Sequence, residues 1–316
     1  MTFVQLKYLV AIARYRSFSK ASQNLKISQP ALTSQIKNLE NEIGFAVFDR
    51  TKVPLAITPE GEVLIKRAEQ ILKLTDDMYD IAIELEEQIS GKLTIGMIPT
   101  VAPYLTPVFM DDLSAKHPDL QLNIRELVTE DIILQVKNGE LDAGIIATPV
   151  KAKGVEFLTL FYEKFFLFIS DKNKLFNKDT ININDIELNE LWYLNEGNCF
   201  QNQVNALCEI SDKVAQKQQL KYQSNSIESL RYIVLQRGGM TFIPELATLT
   251  VSTAEENMIK EIGGLKPVRE ISLVTTKFVS KRKLIDVFLE IMMKNIPSRM
   301  KSLQKNMILD TQIIAG

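Results

Sequence analysis

The chain predicts an α/β body carried behind a small, basic, helical amino-terminal domain and a long connecting helix. Three observations lead there. Short helical periods with cap residues fill positions 1–58, an uninterrupted helical run follows to about residue 90, and from residue 91 β-rich apolar runs alternate with helical segments. The 316 residues, 46% hydrophobic and 24% charged, suffice for two or three domains with real cores. The opening MTFVQLKYLVAIARYRSFSK lacks the charged-then-apolar pattern of a secretion signal. No run approaches the roughly 18 apolar residues of a membrane span. The cytosol is therefore the expected compartment, and no membrane partner is expected. Net charge is -2, yet residues 1–58 hold eight Lys and Arg against three Asp and Glu. A basic end on an acidic body points to a polyanionic partner.

In the first helix Phe3, Leu6, Leu9, Val10 and Ala13 recur at helical spacing, and Ser17 caps a second helix bearing Phe18, Ala21 and Leu25. After a short break Ser28 caps a third. Pro30 suits its first turn, and Ala31, Leu32, Ile36 and Leu39 are its expected inner face. Two short helices joined by a tight turn, the latter with a small polar and basic face, form a helix-turn-helix whose second helix suits the major groove of double-stranded DNA. Phe45, Val47, Phe48 and DRTKVPLAITPEG then read as two extended pieces around a basic turn, a wing able to lie along a phosphate backbone. The expected DNA-contacting residues are Ser28, Gln29, Pro30, Thr33, Ser34 and Lys37, with Arg50 and Lys52 of the wing. This order of SFSKASQNL, SQPALTSQIKNLE, FDR, basic turn and ITPEG resembles the LysR-type transcriptional regulators, whose winged helix-turn-helix spans about the first sixty residues.

From residue 59 to 90, Leu64, Ala68, Ile71, Thr75, Met78, Ala82, Leu85 and Ile89 alternate at spacings of four and three, a coiled-coil seam. Thr75 and two alanines make it modest, so a dimer assisted by other contacts is expected. Two recognition helices would then read a pseudo-palindromic operator. In the body, KLTIGMI, LQLNIREL, LDAGIIA, KFFLFIS, LWYLNE, MTFIPE and REISLVTT are the candidate strands of largely parallel sheets. The family resemblance implies two lobes over 91–300, periplasmic-binding-protein-like, with the second at about 164–268 and a ligand cleft between them. The tail, 301–316, reads as the end of a peripheral helix and a frayed terminus.

Catalytic chemistry is hard to place, and the chain does not read as an enzyme. His117, the only histidine, sits in the helix-end context AKHPDL, and no P-loop or GxGxxG occurs. Two cysteines nine positions apart with one distant histidine do not match zinc spacing, so no metal or other cofactor is expected. The two cysteines, Cys199 and Cys208, both fall in LNEGNCFQNQVNALCEI. As small apolar fillers both would be inert. Cys199 follows a polar turn at a helix start, where N–H groups favour a thiolate, whereas Cys208 lies with Val204 and Leu207 and reads as packed. In one regular helix their Cα atoms would stand about 13 Å apart, beyond the roughly 7 Å that a disulfide tolerates.

The C-x8-C segment, with IPTVAPYLTP, ELVTED, SIESLRYIV, GGMTFIPELA and KPVREISLV, resembles the peroxide-sensing OxyR branch of the LysR family over most of the body. The resemblance implies that Cys199 is the peroxide-reactive thiol and Cys208 its disulfide partner. It further implies Thr100 and Thr129 as polar groups near the peroxide and Arg269 as a cation favouring the thiolate. It makes the chain an activator of oxidative-stress genes, a dimer or tetramer, and a partner of RNA polymerase. Asn198 stands where many members have histidine; an amide hydrogen-bonds peroxide or sulfur but offers no titrating proton. Two other readings stay open: a LysR-type regulator for a small organic ligand in the cleft, with structural cysteines, and a thiol peroxidase carrying a DNA-binding end.

Overall fold

A computed structural model describes residues 1–52, 54–84, 89–195, 198–208, 224–264, 267–277, 279, 281–303 and 307–315, with backbone only at 76, 77, 79–84 and 307. The chain divides into two compact units, Met1–Glu86 and Glu87–Gly316.

In the first unit, α1 (Phe3–Tyr15), α2 (Phe18–Leu25) and α3 (Gln29–Ile43) begin at Thr2, Ser17 and Ser28, whose side chains each accept a backbone N–H. Arg16 and Lys26 end the first two helices at φ 47° and 54°, and Gly44 ends the third at φ 82°. These left-handed residues turn the chain sharply enough to stack the three helices. The hairpin β1 (Phe48–Asp49) and β2 (Ala56–Ile57) is antiparallel, as a wing requires. Leu6, Leu9, Ile12, Ala21, Leu32, Ile36, Leu39, Val47 and Phe48 form the core, joined by Ile65 and Ala68 of α4 (Pro59–Glu84). Two expectations fail locally. Phe3 and Ala31 are exposed rather than inward, because each lies in the first turn of its helix, before the packed stripe begins. Ile12, unlisted in the expected stripe, is fully buried.

The expected seam of α4 splits into two parts. Ala68 is buried in its own unit's core and Leu64 half-buried, whereas Ile71 and Met78 are exposed, as is their neighbour Leu74. Thr75 donates to the Ile71 carbonyl at 3.0 Å, so this seam position satisfies its hydroxyl locally. The side chain of Ala82, and Leu85 entirely, lie outside the described residues. Ile89 packs, partly buried, on the core of the second unit.

The second unit is built on one mixed sheet, β4 (Leu120–Glu126), β3 (Gly91–Met97), β5 (Ala143–Thr148), β11 (Pro267–Thr275), β7 (Glu156–Ile169), β10 (Ile259–Ile262) and β8 (Thr180–Ile181). The expectation of largely parallel sheets is corrected. Only β3 with β4 and β5, β8 with β10, and the short β12 (Met307–Ile308) with β11 are parallel in it; β11 runs antiparallel to both β5 and β7. The reason lies in β7. Residues 156–164 of this strand pair with β11, while 165–169 pair with β9 (Met240–Pro244) and 166–168 with β10. One long strand thus leaves the first lobe and enters the second, and β11 returns against it. The body is two-lobed and periplasmic-binding-protein-like. Of LWYLNE, the described residues 191–195 form no strand and contribute one bridge, Leu191 to Met240.

Helices α5 (Ala102–Lys116), α6 (Thr129–Asn138) and α10 (Arg282–Asn295) cover the first lobe, with Phe109 and Phe288 edge to face at 5.1 Å. The second lobe holds α7 (Cys199–Leu207), α8 (Ile227–Arg237) and the single turn α9 (Glu245–Thr248). Among its described residues the tail is ordered against the body, not frayed. After a 3-10 turn at Ser298–Met300 it runs as β12 against β11, and ends as β13 (Ile314–Ala315) against β6 (Lys151–Ala152), with Leu309, Thr311 and Ile313 buried between. Its alternate apolar residues are too few to announce a strand, and the partner strands lie far off in sequence.

Gly144 of β5 marks the tightest packing of the first lobe: a Cβ there would overlap Ile132 Cγ2 of α6 and Val274 Cγ1 of β11. Gly144→Ala is expected to destabilise this unit by about 1–3 kcal/mol, the usual cost of overpacking, measured as a lowered urea midpoint of the full chain.

Candidate functional site

The sensing candidate is built outward from α7. Asn198 is its N-cap: the amide oxygen accepts from Phe200 N at 3.0 Å, which makes Cys199 the first helical residue. Gln201 of the same turn accepts from Leu194 N at 2.8 Å and ties the incoming chain to the helix. Asn198 therefore spends its acceptor on the backbone, and only its N–H2 end is free of the cap.

Phe200 stacks on Phe165 of β7 at 5.1 Å, and the Arg269 guanidinium lies 4.9 Å over its ring. Arg269, fully buried, stands directly opposite Glu163 across the β11–β7 ladder. Its Nε donates to Glu163 Oε1 at 2.7 Å, and its Nη2 lies 2.6 Å from the same oxygen. The remaining donors reach Thr100, which accepts on Oγ1 and on its carbonyl, both at 2.9 Å. Leu246 N donates to the second Glu163 oxygen at 3.1 Å. Thr129, the first residue of α6, hydrogen-bonds the Cys199 thiol. Thr100 of the turn before α5, Thr129 of α6, Arg269 of β11 and Cys199 of α7 are thus brought together, with Asn198 at the helix start beside them.

Two effects compete at the Cys199 thiol, which is 4% exposed. Burial pushes it up, whereas the Arg269 charge, the Thr129 hydrogen bond and the Phe200 N–H pull it down; burial prevails and the thiol stays above its ordinary value. The helix start acts in the expected direction, through the Phe200 N–H, and burial outweighs it. The Glu130 carboxylate, in the first turn of α6, adds to the upward push. Glu163 itself is pushed up by burial against the pull of Arg269. Removing one member of such a pair costs about 3–5 kcal/mol, because the other is left charged and buried.

Sequence reasoning missed Glu163, Phe165 and Phe200. A signal existed for the first: along FYEKFFL, Phe161, Glu163, Phe165 and Leu167 share one buried parity of β7. A charge at an inward strand position calls for a buried partner.

Cys208 caps the far end of α7, its N–H donating to Val204 O at 3.0 Å, so helical geometry persists to it. Both cysteines are free thiols. Nine residues of helix separate their Cα atoms by about 13 Å, and burial pushes Cys208 up to about 12.

The DNA-facing candidates group on the first unit. Ser28, Gln29, Pro30, Ser34 and Lys37 are exposed at the start and along one face of α3, with Thr33 half-buried among them. Lys52 is exposed in the wing, 3.9 Å from Asp49. Arg50 is placed differently: it pairs with Glu40 at 2.7 Å and lies over the Phe18 ring at 5.1 Å. Glu40 also accepts the Val47 and Phe48 N–H groups, so Arg50 belongs to a clamp that ties the wing to α3. A separate cavity of about 410 Å³ opens between α5 and β4, lined by Thr106, Met110, Leu113, Leu122 and Ile124. None of these residues belongs to the Cys199 cluster.

A winged helix-turn-helix in a chain with a two-lobed body and a buried polar cluster at its lobe junction defines a DNA-binding regulator. Residues 3–62 match the bacterial regulatory helix-turn-helix protein, lysR family, and residues 86–296 match the LysR substrate binding domain. The chain belongs to the LysR family of transcriptional regulators. It is 32% identical over 274 residues to the hydrogen peroxide-inducible genes activator of Haemophilus influenzae, covering 87% of this chain and 90% of that protein. It is 27% identical over 290 residues to the HTH-type transcriptional regulator EstR of Acinetobacter baylyi, covering 91% and 95%. Among solved structures, full-length OxyR C199D from Pseudomonas aeruginosa superposes with TM-score 0.74 at 27% identity, over 93% of this chain and 98% of that one.

Because burial raises both thiols, the unfolded chain ionises first as pH climbs past the ordinary thiol value of 9.0. The unfolded state then binds fewer protons than the folded one, so stability falls with rising pH. Urea midpoints compared at about pH 8 and about pH 10 are expected to drop more for the wild type than for the Cys199→Ser/Cys208→Ser double variant.

Proposed function

We propose that this regulator senses hydrogen peroxide through Cys199 and Cys208 and activates oxidative-stress genes. The observation that carries the reading is the Cys199 thiol at the start of α7, in a buried lobe junction with Thr129, Thr100 and Arg269, one short helix away from a second free thiol. Peroxide is small enough for such a site and needs donors for its leaving oxygen; the Thr129 and Thr100 hydroxyls supply them beside the Arg269 charge. Cys199 sulfur displaces water from peroxide and becomes a sulfenic acid. Cys208 then displaces water from that sulfur, which requires α7 to unwind, since about 13 Å of helix separates the pair. The change in α7 is the signal, carried to the DNA-binding ends through altered contacts between subunits. Relatives named as hydrogen peroxide-inducible genes activators support this. Exposed Ile71, Leu74 and Met78 on α4 support self-association as a dimer, with a tetramer as the full assembly. Cytosolic thiol systems reset the disulfide, RNA polymerase is the partner in activation, and the thiols act once per signal without turnover.

A second reading, a regulator for a small organic ligand with structural cysteines, has one observation in its favour: the 410 Å³ cavity on α5 and β4. Thermal stabilisation by a metabolite with unaltered thiols after peroxide would decide for it.

Cys199→Ser is expected to bind operator DNA normally and to lose the peroxide response entirely in a transcription assay; a full response sinks the proposal. Lys37→Ala is expected to weaken DNA binding evenly across sequences and to lessen the slope of log affinity against log salt by about 0.9, as measured by fluorescence anisotropy.

A further inference from the structure

The carboxy-terminal strand lies against the helix that would have to unwind. Gln203 of α7, fully buried, donates from its amide to the Leu309 carbonyl at 2.8 Å, and Asn202 donates to the Thr311 carbonyl at 3.0 Å. Over the same stretch the tail is fixed elsewhere. Met307 and Ile308 pair with Pro267 and Val268, next to Arg269, and Leu309 N donates to Val268 O at 3.0 Å. The Thr311 hydroxyl donates to the Pro149 carbonyl, Lys151 N donates to Ile313 O at 3.2 Å, and Ile314 and Ala315 pair with Lys151 and Ala152. Leu309, Thr311 and Ile313 are buried.

We propose that residues 307–315 are a clasp that holds α7 in the helical form in which Cys199 and Cys208 cannot meet, with Gln203 and Asn202 as the positioning residues that engage it. The clasp rests on the peroxide reading for its consequence, though not for its geometry. Peroxide converts the Cys199 thiol to a sulfenic acid: the sulfur gains one oxygen, the O–O bond breaks and water leaves. The Cys208 sulfur then bonds to the Cys199 sulfur, the S–O bond breaks, and the Cys208 proton leaves with the oxygen as a second water. The first step leaves α7 in place. The second needs α7 unwound, so it must break both amide contacts to the tail. The clasp therefore slows disulfide formation without slowing sulfenic acid formation.

One feature keeps the hold from being absolute. The Gln203 amide oxygen has no hydrogen-bond partner among the described residues, so the folded helix carries a buried polar atom that unwinding would hydrate. The bonds of α7 to the tail and this orphaned oxygen act in opposite directions, as a switch that must release requires.

The test uses the reduced full-length protein, Asn202→Ala and a chain ending at Ile308. Asn202→Ala removes the donor to Thr311, leaves Gln203 in place, and serves where the truncation does not fold. In either variant α7 amides are expected to exchange with deuterium about fivefold faster or more, one hydrogen bond's worth, while β7 amides keep their rate. After sub-stoichiometric peroxide the disulfide should form faster by a similar factor, with unchanged trapping of sulfenic acid in the Cys208→Ser background. Unaltered α7 exchange and disulfide rate in the variants, with normal sulfenic acid, overturns the clasp alone. Faster exchange with no sulfenic acid in any protein overturns the peroxide reading and the redox half of this proposal, and leaves the hold on α7 standing.

Discussion

The body of this protein turns on one buried ion pair, Arg269 with Glu163, both without solvent exposure. An isolated charge at that depth would be neutralised or excluded, and each member is there because the other is. The guanidinium uses its planar fork fully: Glu163 from one edge, Thr100 from the other, and its face on Phe200. Three elements from two lobes are thereby referred to one rigid group. Pairs of this kind add little net stability, yet they tolerate few alternatives to their geometry.

Burial, more than that pair, determines the state of Cys199. It pushes the thiol up and outweighs the downward pull of Arg269, Thr129 and the Phe200 N–H, while Glu130 adds to the upward push. The result is a buried thiol held above its ordinary value, with Thr129 hydrogen-bonded to it.

The first unit follows a different logic. Its core is small, made of alternating helix faces with Val47 and Phe48 of the wing, and its charges lie outside. Glu40 shows how little is spent on rigidity: one carboxylate gathers two wing N–H groups and Arg50, fixing the hairpin on the recognition helix. Lys37 and Lys52 remain exposed on α3 and in the wing, where a phosphate backbone could meet them.

Much of this was legible in the residues alone, wherever the physics is local. Caps at Ser17 and Ser28, the inner stripe of α3, the wing and the short strands of the body follow from propensity and period. The order of motifs carried the family. Cys199 and Cys208 stood out by rarity and spacing, and helix geometry alone separates them. Tertiary structure decided what depends on partners remote in sequence. Arg269 and Glu163 are 106 residues apart, and Gln203 meets Leu309 across a similar interval. Neither residue announces its partner, because a cross-strand neighbour is chosen by register and topology. The raised Cys199 thiol, the mixed sheet and the docked tail all come from that source. A helix start favours a thiolate by its local field, and only the packing around it could reverse the balance.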